Sequence, residues 1–204
     1  MLRTWRAMCP KLQSLWHEDI PEDWDGVKFA NGRVVKIKLT EERLTGAVPA
    51  VIGRLSALRT LDLGYNKLTS LPAEIGQLTS LTVLYLSCNK LTSLPAEIGQ
   101  LTSLKGLSLV ENQLTSLPAE IGQLTSLKLL HLDKNQLTSL PAEIGQLTSL
   151  EHLGLWHNQL TTLPARIREL RADWRPRTSL APRLPHDRGA GCEVYMDDGV
   201  TFDE

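Results

Sequence analysis

In this chain of 204 residues, the side chains best suited to chemistry are His131, His152, His157, Asp133 and Cys88. Imidazole and carboxylate are ordinary zinc ligands, so His131, Asp133 and His152 have the right chemistry for a metal site. Cys88 and His131 have the right chemistry for a thiol nucleophile and its base. Tyr65, Tyr85 and Trp156 are of another kind, since Tyr and Trp concentrate binding energy at interfaces. What these groups can do together depends on how the chain spaces them. No phosphate-binding GxxxxGK[ST], dinucleotide GxGxxG, GxSxG, HExxH or kinase motif accompanies them. The sequence therefore predicts no catalytic residue, no cofactor and no metal.

The spacing is set by a repeat. Asn66, Asn89, Asn112, Asn135 and Asn158 recur every 23 residues, as do Pro72, Pro95, Pro118, Pro141 and Pro164. The string LTSLPAEIGQLTSL occurs four times unchanged, from Leu68, Leu91, Leu114 and Leu137. Each unit reads L-x-x-L-x-L-x-x-N-x-L, as in Leu81, Leu84, Leu86, Asn89 and Leu91. A degenerate first copy carries Val34, Ile37, Leu39 and Leu44 in the leucine positions and Glu42 in place of Asn. Leucine supplies 39 of the 204 residues, and aromatics only 5%, because one small apolar unit is packed many times.

This pattern resembles the leucine-rich repeat family, with LPxxIGxL units similar to the intracellular Ras-group type and an LTGAVP segment similar to plant-type caps. The resemblance implies an α/β fold: a right-handed solenoid with a parallel concave sheet and turns or short helices on the convex side. The leucines of LxL point inward, and neighbouring coils bury them together. Asn, with two amide donors and an acceptor, can satisfy backbone groups where each strand ends. Asn66, Asn89, Asn112, Asn135 and Asn158 are read as a structural ladder.

The expected organisation has four parts. Residues 1–33 form an N-terminal cap, made of a helical segment bearing Trp5, Met8, Leu12, Leu15 and Trp16 followed by a hairpin turning at Asn31-Gly32. A transit peptide is the alternative for this basic, acid-poor start. Residues 34–172 carry six repeats. Residues 173–190, rich in Arg and Pro, read as a flexible insertion. Residues 191–204 read as a capping strand, with Val194 and Met196 in the LxL positions, and an acidic tail.

Function is expected on the concave face, because the copies differ there and agree elsewhere. The x positions fall in columns: Lys36, Thr60, Val83, Gly106, Leu129 and His152; then Lys38, Asp62, Tyr85, Ser108, His131 and Gly154; then Thr40, Gly64, Ser87, Val110, Asp133 and Trp156. Beside them run Glu41, Tyr65, Cys88, Glu111, Lys134 and His157. The candidate partner-binding set is Tyr65, Tyr85, Ser108, His131, Asp133, His152, Trp156 and His157. Adjacent strands lie about 4.8 Å apart, which places Cys88 and His131 two coils, or about 10 Å, from each other. That separation argues against a thiol–imidazole pair.

Bulk charge narrows the partner. With 22 basic and 23 acidic residues the net charge is −1, so no general nucleic-acid binding is expected. Apolar runs are too short for a spanning helix, so no membrane insertion is expected. Three widely separated cysteines fit a reducing compartment and a cytoplasmic location. The resulting expectation is a monomeric, non-catalytic adaptor or scaffold that binds an unidentified protein in intracellular signalling. The alternatives are a regulatory inhibitor of an enzyme or small GTPase, and an accessory fragment of a receptor-like kinase.

Overall fold

The protein is described from a computed structural model that places residues 24–170, 173–176, 193–197 and 199–202. The helical segment expected within residues 1–17 lies outside the described residues, as does the stretch 177–190. One coil repeats along the chain. A three-residue strand carries an inward leucine between two residues of the concave face, a turn follows, and a short 3-10 segment returns the chain on the other side. The sheet runs β1 (Val27–Ala30), β2 (Arg33–Lys38), β4 (Thr60–Asp62), β6 (Val83–Tyr85), β7 (Gly106–Ser108), β8 (Leu129–His131), β9 (His152–Gly154), β12 (Glu193–Met196) and β11 (Asp173–Pro176). All pairings are parallel except β1 with β2. Each coil thus closes a crossover between parallel neighbours, as the leucine-rich repeat resemblance implies.

The leucine excess is the core. Leu61, Leu84, Leu107, Leu130 and Leu153 occupy the central strand position in register, and all are buried. The isoleucine of each EIG segment, Ile75, Ile98, Ile121 and Ile144, is buried from the opposite side. Each 3-10 segment starts after a proline whose extended φ and missing N–H suit a position with no partner to bond. The following glycine lets the next coil approach. A Cβ on Gly99 would lie 2.5 Å from the Glu120 carbonyl oxygen and 2.8 Å from Gln123 Oε1.

The asparagine ladder is explicit. Asn112 Oδ1 accepts the Leu91 N–H at 3.0 Å, while its Nδ2 donates to the carbonyls of Leu86 and Leu109 at 3.0 and 3.1 Å. Asn66, Asn89, Asn135 and Asn158 repeat this pattern, each tying its own coil to the one before. The residue preceding each Asn takes a left-handed backbone, with φ from 54° to 58° at Tyr65, Cys88, Glu111, Lys134 and His157.

At the front, β1 and β2 form an antiparallel hairpin. Asn31 (φ 51°) and Gly32 (φ 68°) are both left-handed, which is the primed turn that hairpin twist selects. Trp24 is buried beneath it. At the back, of the stretch 173–190 expected as an insertion, the first four residues are described. Residues 173–176 form β11, paired along its whole length with β12 and lying outside it. The strand expected to end the stack is second from the edge. The unpaired N–H and C=O groups that β12 would present are covered by these four residues.

The acidic tail is also partly structural. β13 (Thr201–Phe202) pairs with β10 (Thr162–Leu163), just as β3 (Thr45–Ala47) pairs with β5 (Lys67–Ser70) at the other end. Asp197 accepts the N–H groups of His157 and Asn158 at 3.1 and 3.2 Å. In an interior coil those two amides donate to carbonyls of the next coil, as Cys88 and Asn89 donate to Val110 and Glu111. One carboxylate therefore replaces two backbone acceptors where the repeats stop.

Candidate functional site

The concave columns read from the sequence are hydrogen-bonded registers. Lys36, Thr60, Val83, Gly106, Leu129 and His152 face one another in order, as do Lys38, Asp62, Tyr85, Ser108, His131 and Gly154. The second register continues to Tyr195 of β12. Tyr65 (59% exposed), Tyr85 (43%) and Leu129 (36%) are the large apolar side chains left open to solvent among the described residues, and all three stand on this face or its rim. Leu129 does not belong to the candidate set drawn from the sequence. Its column position was legible; on one side its neighbour in register is Gly106, where an added Cβ would meet nothing within 4 Å.

The eight candidates do not form one cluster. Trp156 and His157 come together, with ring centroids 3.6 Å apart. Asp133 reaches the same end, where its Oδ1 accepts the Trp156 N–H at 3.0 Å and its carboxylate passes over Gly154. A side chain at 154 would collide with it, since Asp133 Oδ2 is 2.2 Å from the Cβ position. Ser108 shares a 2.7 Å hydrogen bond with Ser87 one coil earlier. Tyr65 lies beside Cys88 on the rim, while Tyr85 stands on the sheet floor. His131 and His152 occupy different registers. Among the described residues no three His, Cys, Asp or Glu side chains converge.

The electrostatics disfavour nucleophilic work at Cys88. Partial burial pushes its thiol up from the ordinary value, Glu111 adds to this, and the Tyr65 hydrogen bond and Lys134 oppose it. A reactive cysteine needs the reverse, since the thiolate is the nucleophile. Tyr65 is also raised, chiefly by Cys88. The Glu151 carboxyl is lowered, first by its hydrogen bond from Lys128. Lys134 pairs with Glu111 at 3.2 Å along the same rim as Tyr65 and Cys88.

Sequence reasoning passed over the opposite rim. Arg59, Thr82, Lys105, Lys128 and Glu151 follow one another there, each amide donating to the carbonyl of the residue before it. Their signal was available one step ahead of the first concave column, at the first x of each LxxL. Arg59, Lys105 and Lys128 are exposed.

Comparison with known proteins agrees with this geometry. The family model described as a leucine-rich repeat region matches residues 27–136, and one for two leucine-rich repeat copies matches residues 125–169. Among solved structures, a leucine-rich repeat protein of Leptospira interrogans is 45% identical with a TM-score of 0.52. The match covers 63% of this chain and 38% of that one, so this chain spans well under half of that protein's length. The ectodomain of the plant membrane receptor kinase GASSHO1/SCHENGEN3 of Arabidopsis thaliana, in complex with Casparian strip integrity factor 2, is 28% identical with a TM-score of 0.72. It covers 89% of this chain and 20% of that chain. The plant peptide hormone receptor RGFR1, in complex with RGF2, is 35% identical with a TM-score of 0.64, covering 73% and 28%. No curated protein matches. No helix among the described residues is long and apolar enough to cross a membrane.

Proposed function

The chain belongs to the leucine-rich repeat family, and from that premise we propose that it is a non-catalytic protein-binding module that engages its partner on the concave face. One observation carries this reading. Tyr65, Tyr85 and Leu129, the exposed large apolar side chains among the described residues, all lie on the concave sheet or its rim. Solvent-exposed aromatics of this kind are the usual centres of binding energy. We place it as an adaptor or scaffold in cytoplasmic signalling, acting as a monomer.

A second reading draws on the structural neighbours. Those from plants include a receptor-kinase ectodomain and a peptide hormone receptor, each in complex with a factor that its name identifies. Under that reading the chain is the recognition part of a receptor. Both readings put a protein or peptide on the same surface.

Alanine at Tyr85 and Leu129 together is expected to reduce affinity capture of a cellular partner by about tenfold or more, as loss of two central anchors does. Glu74→Ala, Glu97→Ala and Glu120→Ala on the convex side should leave capture unchanged. They keep the Cβ; that of Glu97 is the one beside Gly76. Equal losses on both sides would exclude the concave face as the binding surface.

A further inference from the structure

We propose that the concave face is built for an extended acidic peptide segment, whose carboxylates meet Lys36, Lys38, Arg59 and Lys105 and whose apolar side chain seats over Gly106. This rests on the concave-face reading and names the chemistry of its partner.

Charge is unevenly distributed along the stack. Residues 24–110 hold ten basic and six acidic residues, whereas residues 111–170 hold four and six. Four of those ten, Lys36, Lys38, Arg59 and Lys105, stand on the concave strands or the rim that precedes them, whereas Lys67 and Lys90 lie beyond the far rim. Lys36 and Lys38 alternate on β2, and Lys36 is in register with Thr60, the residue after Arg59. Arg59 and Lys105 lie two coils apart on the same rim through the amide chain Lys105 to Thr82 to Arg59. None of these four has an ion-pair partner among the described residues. Lys128, next along that rim, is instead paired with Glu151. Asp62, the acid on the floor of these coils, already accepts the Gly64 N–H at 3.1 Å.

Spacing selects an extended polypeptide. Two coils span about 10 Å at sheet spacing. A polyproline II segment repeats its side-chain direction every three residues, about 9 Å. Acidic residues three apart therefore meet Arg59 and Lys105 in turn. The intervening coil presents Val83, and beside Lys105, in its own coil, the floor drops at Gly106, where a Cβ would meet no atom of a non-neighbouring residue within 4 Å and where Val83 and Leu129 flank it in register. Tyr85 stands one column away. The notch fits a single apolar side chain beside the carboxylates.

The opposite rim argues against a nucleic acid. Glu41 and Glu111 stand there, the latter beside Lys134. A polyanion with evenly spaced phosphates would meet those carboxylates, and like charges across an interface oppose binding. A peptide can confine its acids to the basic side.

The test is selection of short random peptides displayed on phage against the full chain. The expected pool is rich in Asp and Glu and poor in Lys and Arg. Its members should bind Arg59→Glu/Lys105→Glu about tenfold or more weakly, and Gly106→Trp should abolish binding. Circular dichroism melting checks that both variants fold, and Tyr85→Ala/Leu129→Ala replaces Gly106→Trp if it does not. Peptides lost on Gly106→Trp but not acidic, or indifferent to charge reversal, would overturn the acidic class while leaving the concave face in use. Peptides indifferent to Gly106→Trp would overturn the concave-face reading as well. An empty selection, or tighter binding of a single-stranded thymidine oligonucleotide at the same face, would also overturn the proposal.

Discussion

Alanine at Asn112 is expected to lower the unfolding free energy by about 2–4 kcal/mol, measured by urea denaturation followed by circular dichroism. The loss has a definite origin. The substitution strands the buried Leu91 N–H, while the carbonyls of Leu86 and Leu109 each lose one of two amide donors and keep those of Asn89 and Asn135. Each buried group left without a partner costs about 1–3 kcal/mol. Asn112→Asp should be worse, because it removes both donors and sets a carboxylate against the two carbonyls. The same change at Asn158 should cost less, since that residue is partly exposed. An unchanged denaturation midpoint for Asn112→Ala would contradict the structural role of the ladder.

Gly99→Ala is expected to destabilise by about 1–3 kcal/mol, whereas Gly106→Ala should change stability by about half a kcal/mol or less. Gly99 is in a 3-10 segment and Gly106 in a strand, and neither has a positive φ, so space decides between them. At Gly99 the new methyl meets a backbone carbonyl oxygen at 2.5 Å, which cannot move without shifting the next coil. At Gly106 the methyl enters open space on the concave floor. Thermal melting of the two variants side by side measures the difference, and equal melting temperatures would contradict the close approach of the convex turns.

That close approach also bears on how the repeats differ from one another. Glu74 and Gln77 recur unchanged in later copies while the concave positions vary, and the sequence invites the view that only the concave side was altered for binding. The structure supplies a packing cause for part of the contrast. Gln100 Oε1 lies 2.6 Å from the Cβ position of Gly76 and Glu97 Cβ lies 2.9 Å from it, so those convex residues are parts of a contact. The exposure of Tyr65, Tyr85 and Leu129 therefore carries more weight than the variation itself.

The solenoid was legible because its determinants are local and repeated. Leucine spacing set the strand register, Asn marked each strand end, and Asn31-Gly32 marked the hairpin. The back of the stack was less legible. Asp173 occupies a leucine slot and breaks the period, so nothing local announces that residues 173–176 form β11 beside β12. Asp197 reads as tail charge until its carboxylate is found on the amides of His157 and Asn158, about 40 residues away in sequence. In the site, column membership was legible, but exposure and hydrogen bonding were not. The commitment of Asp133 to the Trp156 N–H depends on Gly154 leaving room for it. The basic rim escaped notice because Arg59, Lys105 and Lys128 alternate with Thr82 and Glu151 and make no run in sequence.

The central claim is that partners dock on the concave sheet. Affinity capture followed by crosslinking mass spectrometry tests it most directly, because the lysines fall on known sides. Crosslinks from a captured protein should concentrate on Lys36, Lys38 and Lys105, and Tyr85→Ala/Leu129→Ala should reduce them. Crosslinks that fall instead on Lys67 and Lys90, beyond the far rim, and that survive the double substitution would contradict it.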